Sequence, residues 1–263
     1  MNTGLQGKVV LITGAGRGIG KSIAFAMAAE GARLAICARD EQQLQLTADE
    51  IQAQAKADVI AVKANVTRLN DIRRFVDAAA RKFNRIDILV NNAGAAHTGG
   101  ILTTTDEEWE YNIQLKLLGY IRMTREVIPH MKTSGGGKII NIAGMTANEP
   151  SPYSLVPGVT DAAILAFTKS VSRELEKDRI LVNSVNPTTT DTPLAENNFK
   201  QLALVLQKTP EEVRRSLIAS MPQGRLATAD DIAGVVVFLA SEAANFINGI
   251  SINVDAGQSP GVW

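Results

Sequence analysis

The chain has 263 residues, of which 45% are hydrophobic and 21% charged, a length and composition that suit one α/β domain with a full-sized core and exclude disorder. Its 27 Lys+Arg balance its 27 Asp+Glu, so there is no electrostatic footprint for nucleic acid or for an anionic lipid surface. Its single cysteine, Cys37, excludes an internal disulfide framework and a cysteine metal cluster, and is expected to be a small buried hydrophobe; no metal site is expected.

The opening residues MNTGLQGKVV carry no basic segment followed by an apolar one, and no apolar run approaches the roughly 18 residues of a membrane span, so a cytoplasmic protein is expected. Val9 to Ile12 is a continuous apolar run that ends in a glycine-rich turn and becomes helix-periodic at Ile19, Ile23, Ala24 and Met27, which predicts strand, loop and helix. Gly31 is placed to stop that helix, Arg33 to Ala38 reads as the next buried strand, and a polar helix covers Glu41 to Gln54. Val59 to Lys63 is a third strand, Ile72 to Phe83 a helix, and Ile86 to Val90 a fourth strand. Thr105 and Glu108 form a capping box ahead of one long helix to about His130, with Pro129 at its frayed end. A fifth strand, Lys138 to Ile142, precedes a loop to Val156, a helix from Pro157 to Glu174 and a sixth strand, Ile180 to Val185.

Residues 187–224 break the alternation with a Thr/Pro-rich turn, an apolar segment and a helix capped by Thr209 and Glu212. Asp231 to Ala240 is the last long helix and Ile250 to Val254 the seventh strand. The alternation predicts a single-domain, Rossmann-like doubly wound α/β fold over residues 1–263, with a seven-stranded parallel sheet and helices on both faces. Segment 187–224 follows the C-terminal end of a strand, where such sheets bind ligands, and is expected to form a substrate lid.

Thr13 to Gly20, TGAGRGIG, sits where a phosphate-binding turn belongs, between the first strand and its helix. Gly14, Gly16, Gly18 and Gly20 let the backbone approach a pyrophosphate, and the helix N-terminus, with Arg17 and Ile19, offers amide groups and partial positive charge. Further along stand Asn91-Asn92-Ala93-Gly94 after the fourth strand, Arg179 to Asn183, the Pro187 to Thr192 turn, and Val254-Asp255-Ala256-Gly257. With these motifs in this order, the chain resembles the short-chain dehydrogenase/reductase family over essentially its whole length. The resemblance implies a dinucleotide cofactor and a homo-oligomer, tetramer or dimer, packed through the two long helices of about 106–130 and 157–174.

At the end of the second strand an acid would bind the adenosine ribose hydroxyls and an arginine a 2′-phosphate; Arg39 there, with Arg17, predicts NADP(H) over NAD(H). The resemblance adds further cofactor contacts at Asn65, which replaces the family's usual aspartate beside the adenine, and at Val66, Asn92, Ala93, Gly94, Pro187, Thr190 and Thr192.

Family enzymes use a Tyr-x-x-x-Lys pair on a helix, a serine at the end of the fifth strand and an asparagine in the preceding long helix. The tyrosine transfers the proton, the lysine lowers its pKa and the serine polarises the carbonyl. Anchored on Ala166 to Ser170 and on Arg173-Glu174-Leu175, the tyrosine position falls on Pro157, the lysine position on Asp161, and the serine position on Gly144. Counting from Trp109 to Gly119, the asparagine position falls on Lys116. None of the three tyrosines, Tyr111, Tyr120 and Tyr153, has a lysine four residues later, so the pair is absent in every register.

Opposite charges at Lys116 and Asp161 predict an ion pair, an attraction of roughly 4 kcal/mol at about 4 Å and an effective dielectric near 20, before desolvation. Asp161 could alternatively accept hydrogen bonds from the nicotinamide ribose, which makes it a cofactor candidate as well. Tyr153 is an acid or base displaced by four residues, with packing or substrate stacking as its other role, and His97 is expected to be a solvated loop histidine.

Losing the tyrosine alone should forfeit a factor of about 10² to 10⁴ in rate. The expectation is therefore NADP(H) binding without ordinary ketone reduction, the Lys116 and Asp161 pocket serving non-redox acid/base chemistry or none. The alternatives are an NADP(H)-dependent carbonyl or alcohol oxidoreductase using Lys116 or Tyr153 as an unusual proton donor, and a non-catalytic partner subunit. The Leu, Val and Phe residues of 187–224 suggest a small, fairly apolar ligand.

Overall fold

The computed structural model describes residues 3–95 and 97–261. Strand β1, Val9–Thr13, is buried at every position, as a strand covered on both faces must be. Its side chains alternate: Val10 and Ile12 join one core layer, Val9 and Leu11 the other. Helix α1 (Gly18–Ala29) follows, and Gly31, at φ +78°, makes the turn into β2, Arg33–Ala38. Next come α2 (Glu41–Ala55), capped by Asp40, then β3 (Val59–Lys63), α3 (Leu69–Phe83) and β4 (Ile88–Asn91).

The expected long helix after Thr105 is not continuous. Its capping box forms, but α4 ends at Asn112 (Asp106–Asn112), one π-helical turn covers Ile113–Leu117, and α5 then runs Leu118–Thr133. The π turn carries Lys116. Pro129 lies inside α5 and does not end it; the Thr133 hydroxyl donates to the Pro129 carbonyl in the last turn.

Strand β5 (Gly137–Ile142) leads through a short turn at Met145–Ala147 to α6, Leu155–Glu174. Pro157 is thus the third helical residue, still within the first turn, where the missing N–H breaks no helical bond. Strand β6 (Ile180–Pro187) is followed by α7 (Pro193–Leu206) and α8 (Pro210–Ser220), which share a small core of their own around Phe199, Val213 and Met221. The chain ends with α9 (Ala229–Ala240) and β7 (Ser251–Val254).

The seven strands pair in the order β3-β2-β1-β4-β5-β6-β7, and every pairing is parallel. Helices α1, α2 and α9 cover one face through Ile23, Met27, Leu44, Ile51 and Val236. Helices α3, α5 and α6 cover the other through Phe75, Met123, Val127 and Val171. Strand order reverses between β1 and β4, which places a ligand crevice at their C-terminal ends. Among the described residues no helix is long and apolar enough to cross a membrane.

Candidate active site

A cavity of about 880 Å³ opens at that switch point. Its floor is the glycine turn. The Gly14 and Ala15 amides donate to the Cys37 carbonyl at 2.8 and 3.1 Å, which curls the chain over the end of β2. Gly14 has φ +70°, and a Cβ there would stand 2.9 Å from Ala93 Cα; at Gly20 a Cβ would meet the Asn92 side-chain nitrogen and the Gly14 carbonyl oxygen at 2.4 Å. Glycine is therefore dictated at both places by close packing of two backbone turns. The same contact uses Asn92, whose Nδ2 donates to the Thr13 and Gly14 carbonyls at 2.9 and 3.1 Å, while the Asn92 and Ala93 amides donate to the Thr13 hydroxyl at 3.0 Å. Helix α1 begins at this turn with no side-chain cap, leaving its first amides directed outward, as a pyrophosphate requires.

The cavity wall brings together Gly14, Gly16, Arg17, Gly18, Ile19, Gly20, Arg39, Asn65, Val66, Asn92, Ala93, Gly94, Pro187, Thr190 and Thr192. Arg17 and Arg39 are both exposed at its rim, and Arg39 Nη1 donates to the Tyr111 hydroxyl on α4. Asn65 Oδ1 already accepts from the Thr67 amide and hydroxyl at 3.1 and 2.9 Å, so only its amide nitrogen is left for a base. Thr192 caps α7, accepting from the Ala195 amide and donating to the Thr190 carbonyl, with its Cγ2 3.5 Å from a Cβ placed on Gly18. Cys37 is wholly buried, and burial pushes its thiol up to about 12.

At the other end the π turn presents Lys116 to the cavity. Its ammonium donates to Asp161 Oδ1 and, at 3.1 Å, to the Ala143 carbonyl. The Thr146 hydroxyl donates to Asp161 Oδ2 at 2.7 Å. The Asp161 side chain is 3% exposed and that of Lys116 15%, so the pair is largely desolvated, with both carboxylate oxygens engaged. Asp161, expected also as a cofactor contact, is not among the residues lining the cavity, and each of its carboxylate oxygens already accepts one hydrogen bond. The same carboxylate explains Gly144, where a Cβ would come within 2.5 Å of Asp161 Oδ2. Tyr120, beneath, donates to the Ile142 carbonyl at 2.9 Å; burial first, and the Asp161 charge second, hold its phenol well above the ordinary range.

Pro157 and Tyr153 both line the cavity, Tyr153 with 38% of its surface exposed. His97 is not a solvated loop histidine: its side chain is 10% exposed and Nε2 lies 3.2 Å from Glu108 Oε2. That carboxylate is held below its usual range first by the Thr105 amide and then by His97. Residue 99 has no room for a side chain beside it: a Cβ there would meet His97 Cε1 at 2.9 Å. Thr146, Arg214 and Asn198 escaped the sequence reading, which gave Glu149 no role. Thr146 completes the Asp161 contacts, Arg214 binds Asp191 at 2.8 Å and also Glu196, and Glu149 and Asn198 line the cavity, each with one oxygen, Oε1 and Oδ1, buried without a hydrogen-bond partner.

Among protein-family models, one described as enoyl-(acyl carrier protein) reductase matches residues 14–259. The chain is 31% identical over 254 residues to a 3-oxoacyl-[acyl-carrier-protein] reductase of Thermotoga maritima, covering 96% of this chain and 98% of that one. It is 33% identical over 251 residues to a granaticin polyketide synthase putative ketoacyl reductase of Streptomyces violaceoruber, covering 95% of this chain and 92% of that one. Among solved structures, the L-sorbose reductase of Gluconobacter frateurii complexed with NADPH and L-sorbose superposes with TM-score 0.93 at 32% identity, covering 100% of both chains. A 3-ketoacyl-(acyl-carrier-protein) reductase of Brucella melitensis complexed with NADH superposes with TM-score 0.86 at 35% identity, covering 97% of this chain and 99% of that one.

Proposed function

The chain belongs to the short-chain dehydrogenase/reductase family, and on that premise we propose that it binds NADP(H) but does not carry out the family's ordinary ketone reduction. The observation that carries the reading is the buried Lys116–Asp161 pair, which stands where the proton relay is expected and leaves Gly144 no room for a side chain. Binding is supported by the uncapped start of α1 at the glycine turn, which suits a pyrophosphate, and by Arg17 and Arg39 at the rim, which suit a 2′-phosphate. When bound, NADP(H) would supply hydride.

What this chain's residues do around it is different from a proton relay. Pro157 has no acid, Gly144 no electrophilic hydroxyl, and both oxygens of Asp161 already accept hydrogen bonds, from Lys116 and Thr146. An ammonium has three protons, and Lys116 has two partners among the described residues, so one N–H is left for a ligand oxygen at the cavity surface. That donor suits acid/base chemistry without hydride transfer, in which Lys116 polarises a substrate oxygen. It also favours a second reading, an oxidoreductase in which Lys116 replaces the tyrosine. Helices α7 and α8 form the lid of either site; the Thr98 amide donates to Gln201 Oε1 at 3.1 Å, fastening α7 to the loop after β4. A homo-oligomer is part of the same reading, supported by Val159 on α6, which is 56% exposed.

The test is titration of NADPH and NADH by fluorescence, followed by absorbance at the reduced-nicotinamide band over a carbonyl and alcohol panel. The expected result is binding with a preference for NADPH that narrows at least about tenfold in Arg39→Ala, and no turnover. Robust turnover would overturn the first reading and establish the second.

A further inference from the structure

We infer that Tyr111 is a positioning residue for Arg39, holding its guanidinium ready for a 2′-phosphate and so setting the choice between NADPH and NADH. That role rests on the proposed binding of the dinucleotide at the glycine turn, with Arg39 at its adenosine end. Arg39 lies at the exposed rim of the cavity, one residue past β2, and its Nη1 donates to the Tyr111 hydroxyl. Tyr111 belongs to a different element. The Ala64 amide donates to the Ala38 carbonyl at 3.0 Å, so the turn after β3 starts beside Arg39; Arg122 on α5 donates to the Thr67 carbonyl at 3.1 Å, so the same turn ends against α5. Tyr111 reaches Arg39 from α4, on the run of helix that α5 continues, and Leu115, four residues on, lines the cavity. The bond thus joins the two elements on either side of Asn65 and Val66.

The base on which Tyr111 stands is fixed by the Thr105 capping box at the start of α4 and by buried Asn112, whose Nδ2 donates to the Glu108 carbonyl at 2.9 Å. The chemistry of the partner matters as much. Arg214 and Arg225 bind carboxylates, which offset their charge. Among the described residues Arg39 forms no ion pair, and the neighbouring Asp40 accepts from the Gln43 amide as the cap of α2. A phenol oxygen accepts a hydrogen bond without neutralising a guanidinium, so the charge of Arg39 stays available to a phosphate. One proton of Nη1 is used. The Nε–Nη2 edge, which can bind two phosphate oxygens side by side, is left whole. An exposed arginine loses rotamer freedom when a ligand fixes it, and a hydroxyl that already holds it removes part of that cost, worth about a three- to tenfold gain in affinity. Only a cofactor with a 2′-phosphate collects the gain.

The experiment is fluorescence titration of NADPH and of NADH into the wild type, Tyr111→Phe, Arg39→Ala and the double variant, with melting temperatures for all four. Tyr111→Phe keeps the ring and removes the hydroxyl, so it should weaken NADPH about three- to tenfold while NADH stays within about twofold and the melting temperature is unchanged. In the Arg39→Ala background the same substitution should change neither affinity, a coupling that a merely structural role for Tyr111 would not produce. If Arg39→Ala removes a wild-type preference for NADPH but Tyr111→Phe leaves NADPH binding unaltered, tightens it, or weakens NADH equally, the positioning role alone is overturned. A wild type with no preference for NADPH would overturn the cofactor reading, and the positioning role with it.

Discussion

Gly144 and Asp161 should be energetically coupled, and the coupling can be measured with two alanine substitutions. Gly144 has φ −171° and ψ 158°, an extended conformation open to any residue, so the cost of a side chain there is spatial. Its Cβ would stand 2.5 Å from Asp161 Oδ2, a carboxylate that cannot swing aside because one oxygen binds Lys116 and the other accepts from Thr146. Overpacking of this kind costs about 1–3 kcal/mol, so Gly144→Ala alone should lower the melting temperature by about 2–6 °C. Asp161→Ala alone breaks a buried pair, for which about 3–5 kcal/mol is typical; the lower end applies because Lys116 is 15% exposed and keeps the Ala143 carbonyl.

In the double variant the next neighbour of the new methyl at 144 is Thr146 Oγ1, at an ordinary 3.5 Å, so the second substitution should cost almost nothing. The interaction energy is then about 1–3 kcal/mol, read from thermal or urea denaturation of the four proteins. Any entropic gain from replacing glycine appears in both backgrounds and cancels. Additivity within about 0.5 kcal/mol would refute the account of why residue 144 is glycine. The practical corollary is that serine can be returned to position 144 only after Asp161 is changed.

Pro157→Tyr or Asp161→Lys, introduced singly, should leave ketone reduction at background, because the first supplies an acid with no supporting lysine and the second puts two ammonium groups in contact; a rise of about 10²-fold in NADPH oxidation by either would contradict this. Lys138 should impose a pH dependence on stability. Burial brings its ammonium down to about 8, against about 10.4 in an unfolded chain, so between these values the unfolded state binds more protons and stability rises with pH. Melting temperatures across that window should climb more steeply for the wild type than for Lys138→Met, and equal slopes would reject the assignment.

The strand and helix alternation was legible because β1, β2 and β4 are short, mostly apolar, buried runs, and because Gly31 and the Thr105 capping box mark the ends of elements. Meeting of Lys116 and Asp161 was legible too, since it needed only two opposite charges at positions that the resemblance makes adjacent. The π turn at Ile113–Leu117 was not, because its i+5 hydrogen bonds are chosen by packing on α6 and leave no compositional mark. Continuation of α5 past Pro129 was missed for a related reason: tertiary contact holds the last turn against the proline's local preference. Nor does sequence spacing say which way a side chain turns. Asp161 was expected at the cavity surface and is not among its lining residues; His97 was expected in solvent and is 10% exposed, against Glu108.

The π turn also means that the position of Lys116 depends on how many residues precede it, as well as on which they are. Such a turn amounts to one extra residue wound into an otherwise regular helix. Removing any one residue from Ile113 to Leu115 would let the segment wind as an ordinary α-helix with α4 and α5 keeping their places, and would redirect only the side chains of the former π turn. Lys116, one of them, would lose the direction that brings it to Asp161. A scan of substitutions, however complete, would pass over that sensitivity; only a scan of single deletions would find it.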